Sequence, residues 1–298
     1  MTRFACHTDP GPRENLEDSY QAFTIRSWHQ NSPEIPVLGV LDGVGGQSSG
    51  EIASQLAASQ LTQNTSLFFS SWSADLTASQ LPIDAVPGAL RKALERANQG
   101  IVQVCAEVAE FAGMAATAVW AVIVYSVLYV AWVGDSRCYV YHQGRLRQVT
   151  RDHSEARRLV ELGLVSQAQA KTHPLAHTIY KYLGQPSDFA AETSAWRISA
   201  GDLVILCTDG LTDVLPEEVL AEEVRAYQAG EFPFDQLPVR LVDSALAAGT
   251  QDNVTVVCCE YDPFGGDIPK AMQKTRTHAY PIQVASVLAY FSEGKQND

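Results

Sequence analysis

Four apolar runs in this chain each carry an aspartate at one end, and this repetition constrains the fold more than any other feature. Leu203 to Asp213 reads LVILCTDGLTD, with Asp209 closing the run and a second carboxylate at Asp213. Val37 to Gly43 reads VLGVLDG and ends in Asp42; Val127 to Ser136 reads VLYVAWVGDS and ends in Asp135; Asp252-Asn253 opens VTVVCCEY. Uninterrupted runs of this length are strands buried on both faces. A carboxylate at the edge of such a layer costs several kcal/mol if nothing compensates it. No basic residue is adjacent in sequence to Asp42, Asp209 or Asp252. The simplest account is that these strand ends meet around divalent cations.

Composition narrows the function classes. A net charge of −13 over 298 residues excludes a protein that holds nucleic acid by its phosphates. The 46% hydrophobic and 18% charged content describes a well-cored globular chain. Six cysteines without a C-x-x-C pair read as reduced, buried thiols. The N-terminal MTRFACHTDPGP has no apolar signal core, so a cytoplasmic location is expected. The apolar run at 115–133, AATAVWAVIVYSVLYVAWV, is long enough for a membrane span. Its Val, Ile, Tyr and Trp content and Tyr125-Ser126 at its middle favour a buried hairpin of two strands instead, so no membrane is expected.

Along the chain, strands are expected at 3–9 and 20–25 and in the runs above. Gly43 to Gly46 reads as a flexible turn before a helix from about 51 to 62. Residues 64–87 read as a Ser/Thr/Pro-rich loop with a short helical piece, and 86–110 as a long helix. A hairpin at 137–149 turns at His142-Gln143-Gly144. Residues 151–194, more polar and broken by Pro174 and Pro186, read as an inserted subdomain. Helices at 216–228 and 234–247 and a strand at 250–261 follow, then a linker and a short helix at 281–291. Intermixed strands, hairpins and helices predict an α+β fold with two packed, mainly antiparallel sheets and helices outside.

Sites built from carboxylates, carbonyls and water suit Mg²⁺ or Mn²⁺. Several carboxylates can hold two ions about 3.5–4 Å apart, and a hydroxide between them is poised for in-line attack on phosphorus. Such a site needs a cation for the phosphate oxygens, and Arg13 is the leading candidate.

With these residues in view, the chain resembles the metal-dependent Ser/Thr protein phosphatases of type 2C, the PPM family, in their bacterial form. The resemblance rests on RENLED (13–18), LDGVGGQSSGEIAS (41–54), GMAAT (113–117), VGDSR (133–137), TRDHS (150–154), HPLAHTIYKYLG (173–184), CTDGLTD (207–213) and GTQDNVTVV (249–257). It implies a four-layer αββα sandwich as a catalytic domain over 1–261, with 151–194 as a flap beside the active site and 262–298 outside it. It implies Asp42, Asp209 and Asp252 as ligands of two Mn²⁺ or Mg²⁺ ions, with Asp42 bridging them and Gly43 giving its carbonyl. Glu17 and Asp18 would act through bound waters, Arg13 would hold phosphate, and Asp135, Asp209 and Asp213 would form a third metal site. The implied partners are phosphorylated proteins, substrates of a Ser/Thr kinase, met by a monomer.

The chain departs from the family pattern at Val44, where some members have His, at Gln47, where His is common, and at Ala115-Ala116. Local alternatives stand beside these roles. Asp135 pairs with Arg137, Asp213 caps the helix after Pro216, Glu17 and Asp18 form a solvated pair, and Arg13 makes a surface ion pair. His153, His173 and His177 read as structural or surface residues. The contrasting function is a non-catalytic binding relative, whose mark would be loss of the aspartates; all are present.

Overall fold

The computed structural model describes residues 2–26, 34–45, 49–74, 83–171 and 173–262. In chain order the strands are β1 (Arg3–Asp9), β2 (Ser19–Ile25), β3 (Ile35–Leu41), β4 (Gly43–Val44), β5 (Ala115–Ala116), β6 (Ala118–Val124), β7 (Val127–Val133), β8 (Arg137–His142), β9 (Arg145–Gln148), β10 (Glu192–Arg197), β11 (Leu203–Cys207) and β12 (Val254–Glu260). The helices are α1 (Ser49–Ala74), α2 (Val86–Glu107), α3 (Glu155–Glu161), α4 (Gln167–Lys171), α5 (Asp209–Thr212), α6 (Glu217–Gln228) and α7 (Gln236–Ala247). One sheet runs β1-β12-β11-β8-β9 and the other β10-β7-β6-β3-β2, with all pairings antiparallel.

The apolar runs are explained by what each face meets. Along β6, Val119, Ala121 and Ile123 point between the sheets, where they join Leu128, Val130 and Trp132 of β7 and Val204 and Leu206 of β11. The alternate residues Ala118, Trp120, Val122 and Val124 pack with Leu61, Leu90, Leu94 and Ile101 of α1 and α2. On the opposite side Leu203, Ile205 and Cys207 meet Leu220, Val224, Leu237 and Leu241 of α6 and α7. Period-two alternation thus hides inside a continuous apolar run because both faces are covered. The result is the αββα order of layers, with 115–133 forming the expected hairpin. Tyr125 and Ser126 both adopt positive φ, 47° and 65°, as a two-residue hairpin turn of matching twist requires. Among the described residues no helix is long and apolar enough to cross a membrane, and all six cysteines are free thiols.

Several expectations need correction. Helix α1 runs to Ala74, well past residue 62, because the Ser/Thr-rich stretch is held by tertiary contacts: Phe69 is buried, and buried Thr65 accepts the Trp120 indole N–H at 2.9 Å. Local propensity yields to such packing. Gly43-Val44 is not a loose turn but a short strand paired with Ala115-Ala116. Of the 151–194 insertion, 192–194 belong to β10, an edge strand against β7. The residues at 46–48 and the linker and helix expected beyond 262 lie outside the described residues.

Candidate metal centre

Asp18, Asp42, Asp135, Asp209 and Asp252 flank strands at the same end of the sandwich. Asp42 follows β3 and Asp18 precedes β2, two strands whose register pairs Ser19 with Leu41. Asp209 follows β11 by way of Thr208, and Asp252-Asn253 precede β12, where Val256 pairs with Cys207. Asp135 sits where the chain crosses from β7 in one sheet to β8 in the other. Both sheets therefore contribute to the cluster.

Its electrostatics are those of carboxylates short of positive charge. Burial raises Asp42 well above the usual carboxylate range, and Asp209, Asp18, Asp135 and Asp252 add to the shift. Burial lifts Asp18 and Asp209 to about 7; Asp252 repels both, and Asp213 adds to the shift of Asp209. Asp42 and Asp209 share a hydrogen bond, which partly offsets the rise at Asp209. Asp135 is likewise raised by burial and then by Asp209, Asp152 and Asp213. Glu17 is raised by burial, with Arg13 opposing. Carboxylates that obstruct each other's ionisation fit a divalent cation, which would relieve repulsion and desolvation together. The donors are oxygens, the set that Mg²⁺ and Mn²⁺ prefer.

A second layer fixes the loops. The Asn253 amide donates to the carbonyls of Pro10 (2.9 Å) and Asn15 (3.0 Å), and its Oδ1 accepts the Glu17 N–H at 2.7 Å. The Thr208 hydroxyl donates to Asp18 Oδ2 at 2.8 Å. Thr117 accepts the Asp42 N–H at 3.1 Å and lies 2.7 Å from the Ser136 hydroxyl. Two glycines permit the close approach of segments. A Cβ on Gly43 would lie 2.1 Å from the Gly50 carbonyl oxygen, and one on Gly210 would lie 2.0 Å from that of Asn253. His153, fully buried, accepts the Gly134 N–H at Nδ1 (3.1 Å) and stacks on Trp132. That leaves its proton on Nε2, which faces Glu192 at 3.0 Å.

Several readings of single residues change. Arg13 is not adjacent to Asp252 in sequence but reaches it through space: Nη2 donates to Asp252 Oδ2 at 2.9 Å, and Nε donates to the Gln251 carbonyl at 2.8 Å. Arg137 pairs with Asp152 through Nη2 at 2.7 Å and Nε at 3.0 Å, and not with Asp135. Asp213 does not cap the helix after Pro216, which starts on Pro216 itself with no side-chain cap. It ends α5, donating its N–H to the Asp209 carbonyl at 2.8 Å. Its Oδ2 lies 3.0 Å from His177 Nδ1. Asp18 is buried, which removes the solvated-pair reading for it. Asn253, Thr208 and the Asp213 partner His177 were not singled out as site residues in the sequence. Asn253 and Thr208 lie inside the quoted motifs, and only the fold shows what they bond.

Comparison with known proteins decides the family. The model for protein phosphatase 2C matches residues 15–235. The chain belongs to the protein phosphatase 2C family of metal-dependent Ser/Thr protein phosphatases. It is 30% identical over 256 residues to the serine/threonine phosphatase stp of Listeria monocytogenes, covering 86% of this chain and 94% of that protein. The S. agalactiae serine/threonine phosphatase structure superposes with a TM-score of 0.75 at 25% identity, covering 88% of this chain and 100% of that one. The catalytic domain of the phosphatase PstP, solved with 2 manganese ions, superposes with a TM-score of 0.68 at 27% identity, covering 87% and 97% of the two chains.

Proposed function

We propose that this protein removes phosphate from phosphoserine and phosphothreonine in proteins phosphorylated by a Ser/Thr kinase. Water attacks directly and no covalent intermediate forms. The observation that carries this reading is the meeting of Asp42, Asp209 and Asp252 from both sheets, with Arg13 at the rim. Asp42, Asp209, Asp252 and the Gly43 carbonyl would hold two Mn²⁺ or Mg²⁺ ions, with Glu17 and Asp18 outside them and Asp135 and Asp213 toward a third. When bound, such a pair supplies an acidified water nucleophile at neutral pH and offsets charge on the phosphoryl group. Arg13, side chain 53% exposed, keeps enough freedom to turn from Asp252 to a phosphate dianion, which its planar fork matches. Asn253 and Thr208 hold Glu17 and Asp18 in place, so the site is preorganised before substrate arrives. The catalytic unit is residues 1–261, with 151–194 as its flap, acting as a cytoplasmic monomer.

The test is hydrolysis of an aryl phosphate and a phosphothreonine peptide with Mn²⁺ or Mg²⁺. EDTA should abolish turnover, and Asp209→Ala or Asp252→Ala should lower it by orders of magnitude. Activity indifferent to both would sink the mechanism, and no activity under either metal would favour a binding role.

A further inference from the structure

A cleft beside the centre runs along a strand edge that no other strand covers. Among the described residues β3 is the only strand neighbour of β2, so one edge of Ser19–Ile25 leaves its backbone N–H and C=O groups out of the sheet ladder. Strand edges are ordinarily guarded by charge, proline or a bulge. SYQAFTI carries no charge and no proline, and its register with β3 runs unbroken from Ser19↔Leu41 to Ile25↔Ile35.

Helix α1 forms the facing wall. It is held beside the start of β2 by the Ser54 hydroxyl, which donates to the Glu17 carbonyl at 2.6 Å and lies 2.9 Å from the Ser19 hydroxyl. From there Gln55, Ser59 and Gln63, spaced to share one helix face, line a cleft of about 670 Å³ together with Tyr20 and Gln21 of β2. Thr8 of β1 adds a third side, and Asp18 lies at the end nearest the centre. The dimensions match a short stretch of extended chain. Asp18 to Gln21 covers about 10 Å of strand at about 3.4 Å per residue, and Gln55 to Gln63 covers about 12 Å of helix at about 1.5 Å per residue. Asp18 is the one charged residue among the described lining, and Tyr20 is 40% exposed. Amide and hydroxyl groups around a free strand edge suit a peptide backbone with uncharged side chains.

We propose that β2 and α1 form a docking groove for the three or four residues N-terminal to the phosphoserine or phosphothreonine of a protein substrate, bound as an added strand. Asp18 decides the occupant: the cleft is continuous with the centre, so a chain whose phosphate is held there lays its neighbouring residues along β2. Strand β2 leads away from the centre, from Ser19 to Ile25. An antiparallel strand, the more stable pairing, runs toward the centre and places its N-terminal flank in the groove. The flank it takes is extended, uncharged and free of proline, which has no N–H to give to a strand edge. This rests on the phosphatase reading of the centre and adds the part of the substrate that carries sequence preference.

The experiment compares two phosphothreonine peptides with the same C-terminal flank, one with four uncharged residues before the phosphothreonine and one beginning at an acetylated phosphothreonine. With Mn²⁺, loss of the N-terminal flank should raise KM about tenfold at similar kcat, the worth of one or two main-chain hydrogen bonds. Proline or N-methyl residues in the flank should do the same. Ser59→Trp and Gln63→Trp, at exposed positions of α1, put an indole in the groove and should raise KM for the flanked peptide to that of the truncated one, while Ser59→Ala should not. Turnover of an aryl phosphate, which has no flank, should be the same in wild type and all three variants. Equal KM for the two peptides in wild type, a flank effect that survives in both tryptophan variants, or a preference that resides in the C-terminal flank overturns the groove. Tryptophan variants that turn over the flanked peptide faster than wild type would mean that a segment of this chain fills the groove, and overturn it too. A wild type that turns over no aryl phosphate fails the reading of the centre instead; the groove is then read from fluorescence anisotropy of the two peptides carrying fluorescein, where equal affinity overturns it.

Discussion

Replacing Asp18 with Asn should stabilise the metal-free protein at pH 8 and by less than half as much at pH 5. Asp18 is 7% exposed, and burial lifts its carboxyl from 3.8 to about 7, with Asp209 and Asp252 adding to the rise. A group whose pKa is higher in the fold than in the unfolded chain supports folding fully below its unfolded value. That support is lost as pH rises through the folded value, here between about 4 and 7. Above that window, keeping Asp18 charged costs the metal-free fold on the order of 4 kcal/mol, a large part of a typical stability margin. Asparagine carries no charge and keeps an oxygen for the Thr208 hydroxyl, so about 2–4 kcal/mol should return at pH 8. Urea unfolding in EDTA at both pH values reads the difference directly. With Mn²⁺ present the gain should shrink or reverse, because the wild-type charge then has a cation to face. Equal effects at pH 5 and pH 8 would refute the claim that an unneutralised charge burdens this end of the sandwich.

Other outcomes follow from the same geometry. Gly210→Ala should destabilise the fold by about 1–3 kcal/mol and weaken Mn²⁺ binding measured by calorimetry, because the new methyl must push the Asn253 carbonyl, and Asp252 with it, away from Asp209. Arg13→Ala should lower kcat/KM for a phosphothreonine peptide about a hundredfold, with Arg13→Lys recovering only part. His153→Ala should cost about 2–4 kcal/mol in urea unfolding, since it empties a buried ring position and orphans the Gly134 N–H.

Much of the site was legible in the sequence because aspartates abutting apolar runs have few innocent explanations once several recur. The hairpin at 115–133 was legible from strand-favouring residues and a mid-run turn, although its alternation is hidden by burial on both faces. Strand β10 was not: ETSAWR follows a polar insertion and pairs with a single neighbour, so its signal is that of a loop. The second half of α1 was also missed, because what keeps 63–74 helical is the Trp120 indole and the buried Phe69 pocket, contacts made across the fold. The same reason hid Asn253, His153 and His177 as site residues. Their roles depend on Glu17, Gly134 and Asp213, which the chain brings near only after both sheets have assembled.

That assembly has a consequence for how distant residues shape the centre. Asp42 belongs to one sheet, Asp209 and Asp252 to the other, and what separates the sheets is a filling of side chains such as Val119, Val130, Leu206 and Val257. The filling acts as a spacer that gauges the gap between the two halves of the cluster. A methyl group removed or added there, remote from every carboxylate, alters the reach between ligands, much as a shim resets the jaws of a vice.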